Sequence, residues 1–181
     1  MVQMALTIET IRATSDDEKL LDLLFEEARR LLPDELFEDT DTYYNSFETI
    51  PRGIRALAGI YPFSVSMQMD DLVWHFSNHS DERHIRETLY GLRELEMIGI
   101  ADLFEKASII MRPYLSDLRP GRFRDQPLYD WAEAKGIRDQ IAPWNELIWA
   151  EQSLVPTGLL GFAVRYARKY PEHLVGDEAQ Q

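Results

Sequence analysis

The chain contains no cysteine, which excludes disulfides, thiol nucleophiles and thiolate metal sites. It has no apolar run of the length a bilayer span requires. The opening MVQMALTIETIRAT lacks a basic segment followed by a long apolar core, so the expectation is no signal peptide and a cytoplasmic location. Basic charge is scarce too: 19 Lys and Arg stand against 32 Asp and Glu, a net charge of −13. A field of that sign repels nucleic acid and anionic membrane and favours basic partners or cations. No Walker motif, nucleophile elbow or Ser-His-Asp order occurs, and GLLG at 158–161 is no phosphate loop. No catalytic signature therefore supports an enzyme, although carboxylates and histidines from distant segments can still assemble into a site.

What the chain does have is apolar substance. Its 181 residues are 45% hydrophobic, with four Trp, eight Tyr and eight Phe, enough for one well-cored domain. The acid excess is uneven. Residues 1–50 carry 13 acids and 4 bases, a net of −9, whereas residues 51–120 carry 10 and 8, a net of −2.

Helical periodicity dominates. Ser15 and Glu18 read as a capping box, followed by Leu20, Leu21, Leu24, Phe25, Ala28, Leu31 and Leu32 on one face. A second helix is expected from Thr40 or Asp41, and a third from Arg52 to a stop at Pro62. Ser64 is read as capping the next helix, which ends near Asn78; Ser80 opens another, and Gly99 is the expected stop before a helix reaching Met111. After an exposed connection at 113–126, helices are expected at 128–135, 144–153 and 156–170. The reading is all-α: one compact domain of seven to nine helices over residues 1–175, with acidic helices at 15–50, a centre at 51–112, C-terminal helices at 127–172 and a frayed tail at 173–181.

The central stretch DDLVWHFSN (70–78), the Leu95-Glu96-Met97-Ile98-Gly99 step, the segment PRGIRAL (51–57) and the closing Leu160–His173 segment occur in a characteristic order. In these features the chain resembles a domain-of-unknown-function family typified by a bacterial DNA-mimic protein, over about residues 50–175. Phe76 and Asn78 match the family's central motif. Asp70-Asp71 stand where the family has two glycines, and Trp74-His75 where it has Gln-Tyr. The resemblance implies an all-helical fold, no cofactor, homodimerisation, and an acidic surface offered to a DNA-binding protein.

A phosphate mimic needs carboxylates spaced along a rigid surface. Asp16, Asp17, Asp22, Glu26 and Glu27 are the candidates on the first acidic helix, with Asp34, Glu35, Glu38, Asp39 and Asp41 extending the row. The plainer reading is a solvated helix face with N-cap acids. His75, His79 and His84 fall within ten residues. His75 and His79, with Asp70 or Asp71, are the alternative: a metal-dependent enzyme or metal-binding protein, although HxxxH lacks the Glu of HExxH. The plainer reading there is surface or capping histidines. A third reading is an immunity-type binding protein whose partner does not bind DNA.

Overall fold

The computed structural model describes residues 5–34, 36, 39–118 and 126–176. Among them there is no strand, and ten α-helices follow in order: α1 (Ile8–Ala13), α2 (Asp17–Leu31), α3 (Thr40–Ser46), α4 (Arg52–Met69), α5 (Leu72–Asn78), α6 (Glu82–Glu94), α7 (Ile98–Met111), α8 (Gln126–Ala134), α9 (Ile137–Gln152) and α10 (Leu160–Lys169). The all-α domain is as expected, and the helix count is one higher than the expected range. The extra element is α1, a short helix capped by the Thr7 hydroxyl on the Thr10 N–H.

The long helix α4 is central and packs against α2, α5, α6, α9 and α10. Its contact with α6 is backbone to backbone. A Cβ on Gly59 would lie 2.5 Å from the Glu87 carbonyl oxygen, and one on Gly91 would lie 2.5 Å from that of Ala56. Glycine at both positions lets the helix axes approach closely. The Thr88 hydroxyl then donates to the Gly59 carbonyl at 3.0 Å. Beside this seam, Glu87, only 2% exposed, takes a bidentate pair from Arg55 at 2.7 and 2.9 Å, and Arg55 lies 4.3 Å from the Tyr90 ring centroid.

Two prolines do not act as stops. α4 runs through Pro62, and α9 through Pro143. An interior proline costs about 3 kcal/mol. Ile60, Phe63 and Met67 are all essentially buried on α4, and each such side chain contributes about 1.5–3 kcal/mol. Burial outweighs the lost bond, and Ser64 becomes an interior residue rather than a cap. The real break comes at Asp70-Asp71. There the Asn145 side chain on α9 accepts the Leu72 N–H at 3.1 Å, and the Trp149 indole donates to the Met67 carbonyl at 2.9 Å.

Gly99 is likewise not a stop, since it lies inside the first turn of α7. The left-handed residue between α6 and α7 is Glu96, with φ of 61°. Its carboxylate accepts from Lys169 Nζ at 2.7 and 2.9 Å and from the Tyr170 hydroxyl at 3.0 Å. The C-terminal segment is more ordered than expected: Leu174 and Val175 are buried. The rest of the expected tail, at 177–181, lies outside the described residues, as does the part of the expected connection at 119–125.

Candidate functional site

α2 is a 15-residue amphipathic helix whose Leu20, Leu24 and Ala28 face the core. Its N-cap is Asp16, not Ser15: the Asp16 carboxylate accepts the Lys19 N–H at 2.9 Å. Glu18 is therefore not part of a Ser15 capping box, and it lies exposed on the outer face. Glu18, Asp22 and Glu26 then stand four residues apart, all exposed. Each step of four rises about 6 Å along a helix. Like charges at this spacing destabilise a helix by a few tenths of a kcal/mol per pair. Sequence reasoning missed Glu18 because it assigned that residue to capping; its i, i+4 relation to Asp22 was the available signal.

The other expected acids divide. Asp17 is exposed but tied to Arg168, whose guanidinium also reaches the Thr14 and Ser15 carbonyls at 2.9 Å. Asp34 is exposed. Asp39 caps α3, accepting the Asp41 N–H at 3.2 Å and the Thr42 hydroxyl, bonds that hold its carboxyl below the usual range. Asp41 pairs with Arg83 at 2.8 Å. Glu35 and Glu38 lie outside the described residues. Glu27 does not belong to the surface at all. It is 4% exposed, accepts the Leu6 N–H at 3.3 Å and holds Arg30 at 2.7 and 2.8 Å. The periodicity of α2 places it beside Leu20, Leu24 and Ala28, and its charge is compensated there as a buried carboxylate requires.

The histidines are neither a surface cluster nor helix caps alone. His75 is fully buried among Phe63, Phe76 and Phe104, at ring separations of 5.3, 5.6 and 5.7 Å. Ser66 gives its one hydroxyl proton to the Pro62 carbonyl at 2.8 Å, so His75 Nδ1–H donates to Ser66 at 2.9 Å. His75 Nε2 is then a buried acceptor without a partner. His79 closes α5 as its C-cap residue, and its ring lies 5.0 Å from His75 and 4.5 Å from His84. His84 is held by the Tyr44 hydroxyl at 2.8 Å. Burial pushes all three imidazoles down, His84 to about 3, with His84 and His79 adding to the effect at His75 and His79 adding to it at His84.

The metal alternative finds no support in this geometry. Asp71 is the N-cap of α5, accepting the Trp74 N–H at 2.9 Å, and burial raises its pKa. Among the described residues, no group of three or more His, Cys, Asp or Glu is arranged to hold a metal ion. Phe76 is core, fully buried and stacked on Phe104 at 5.3 Å. Asn78 is exposed and returns its amide to the Trp74 carbonyl at 2.9 Å, finishing α5.

A model of the DMP19-like protein family matches residues 48–170, about two thirds of the sequence. The chain belongs to this family. No curated protein and no solved structure matches it. The matched span takes in the seam between α4 and α6, the helix break at Asp70-Asp71 and the buried histidines. It begins after α2 and α3, so the exposed acids of α2 are a feature of this chain in front of the family's span. Among the described residues, no helix is long and apolar enough to cross a membrane.

Proposed function

We propose that this protein acts by binding another protein through its acidic N-terminal face, occupying the basic surface of a DNA-binding protein and keeping it off DNA. The observation that carries the reading is the exposed row Glu18, Asp22 and Glu26 on a rigid helix, with the capping Asp16 at its start and Asp17 beside it already tied to Arg168. Its charges lie at intervals of about 6 Å and oppose helix stability, which argues for a use beyond solubility. Membership of the DMP19-like, DNA-mimic family supports the role in general, while the acidic face of α2 lies in front of the matched span. Glu27 has no part in it, being buried and paired with Arg30.

The test is a pull-down from lysate of the native host at low and at high salt, with wild type and with a variant carrying Asp16→Asn, Asp17→Asn, Asp22→Asn and Glu26→Gln. Screening of charge-charge attraction predicts a DNA-binding protein captured at low salt and lost at high salt. The variant is expected to capture none while keeping its helical circular dichroism. A partner that survives both the salt and the variant would sink the acidic-face reading.

A further inference from the structure

A groove of about 630 Å³ opens between α2, α3, α4 and α5, floored by Leu32 and Leu57 and walled by Phe25, Tyr43, Tyr61 and Trp74. Tyr61 is 47% exposed and meets the Phe25 ring edge-on at 5.3 Å, so an aromatic pair stands at the rim with one face in water. Exposed aromatic pairs beside a pocket are the composition of an interaction site. Ala58 and His79 also lie on the lining.

The charge around it is mainly negative. Glu18, Asp22 and Glu26 lie along the outer side of α2 and Asp34 stands on the lining itself, while across the groove Asp39 is engaged as the cap of α3 and Asp41 is paired with Arg83. Arg29 is the one Lys or Arg on the lining among the described residues. We infer that this groove receives the apolar side chains of a basic amphipathic helix, while the flanking carboxylates take that helix's Lys and Arg. Helix-in-groove recognition reads apolar anchors at i, i+3, i+4 and i+7, and the aromatic walls suit Leu or Phe anchors. Arg29 suits the carbonyl end of the docked helix. A second copy of this chain is a poor occupant, because it would bring −13 against −13. The inference rests on the proposed function in one respect only, that the partner is basic.

The test is calorimetric titration of the full chain with a synthetic helix of about five turns, Leu on one face and Lys and Arg elsewhere. The control is a peptide of the same composition with the Leu residues scattered. The amphipathic peptide is expected to bind at least about ten-fold more tightly than the control. Tyr61→Ala, at an exposed position, and Ala58→Trp, which fills the groove, should each weaken it by about the same factor with circular dichroism unchanged. Equal binding of the two peptides, or no loss in both groove variants, would overturn the inference. So would indole filling the groove without competing with the peptide, or a wild-type dimer that Tyr61→Ala dissolves. If the fourfold acid variant loses the peptide while the groove variants keep it, the groove fails and the acidic-face reading stands. The reverse pattern would fail that reading and leave the groove standing.

Discussion

Gly59 of α4 sits against the backbone of Glu87 on α6, so close that a methyl group on Gly59 would lie 2.5 Å from the Glu87 carbonyl oxygen and 3.0 Å from its carbon. No flexible side chain can yield there, since both nearest atoms are backbone. Gly59→Ala must therefore push the two central helices apart. Overpacking of this kind costs about 1–3 kcal/mol or more. The expected result is a lower urea midpoint at unchanged m-value, whereas a wild-type midpoint would mean the helices separate freely.

The Arg55–Glu87 pair lies beside that contact and is buried on the carboxylate side. Breaking a buried pair from one side costs about 3–5 kcal/mol because a charge is left unpaired, while replacing both partners with apolar residues is often close to neutral. Arg55→Met alone, which strands the buried Glu87 carboxylate, should destabilise far more than Arg55→Met with Glu87→Leu. A double-mutant cycle in urea measures the difference, and additive losses would show that the two groups act independently.

Acid sensitivity follows from the histidines. His75, His79 and His84 are all pushed down in the folded chain, so between pH 6.5 and their folded values only the unfolded chain takes up these protons. Their cost is absent above about pH 6.5 and grows as pH falls below it, by up to about 1.4 kcal/mol per pH unit for each histidine. Urea midpoints taken from about pH 7.5 down to about pH 5, above most carboxylate titration, should fall on acidification. His75→Phe removes one of the three groups together with the unpaired Nε2, and its slope should be shallower. A slope equal to wild type would mean that His75 does not titrate on unfolding.

Glu26 and Glu27 are neighbours in sequence and opposites in the fold. Glu26→Gln should leave stability within about 0.5 kcal/mol, as exposed substitutions do. Glu27→Ala leaves the Leu6 N–H and Arg30 without their acceptor and should cost about 1–3 kcal/mol. Thermal melts of the two variants decide it, and equal melting temperatures would contradict the burial of Glu27.

Asn145 is expected to matter through one atom. Its Oδ1 accepts the first N–H of α5 across the chain from α9, so Asn145→Ala leaves that amide buried without its acceptor. A loss of about 1–3 kcal/mol is expected. Hydrogen exchange at Leu72 should accelerate in the variant, and unchanged protection there would mean another group satisfies the amide.

The sequence by itself determined the helical class, the apolar face of α2 and the concentration of acid in the first fifty residues, because each is carried by local spacing and composition. The order of segments from Pro51 to His173 also carried the family resemblance. What required the tertiary structure was whatever depends on a distant partner. Pro62 read as a stop locally, yet burial of Ile60, Phe63 and Met67 carries α4 through it, and the helix expected from Trp144 extends back through Pro143 to Ile137, with Ile141, Asn145 and Ile148 buried along it. Gly99 read as the helix stop, but the left-handed residue between the helices is Glu96, held by Lys169 and Tyr170. Asp16 rather than Ser15 caps α2, and that leaves Glu18 on the outer face with Asp22 and Glu26. His75 and Glu27 are polar residues that sequence logic sends to the surface. They lie inside because Ser66 and three phenylalanines surround the first, and Arg30 with the Leu6 amide satisfies the second. Spacing along a helix fixes which residues share a face; only packing decides whether that face meets water.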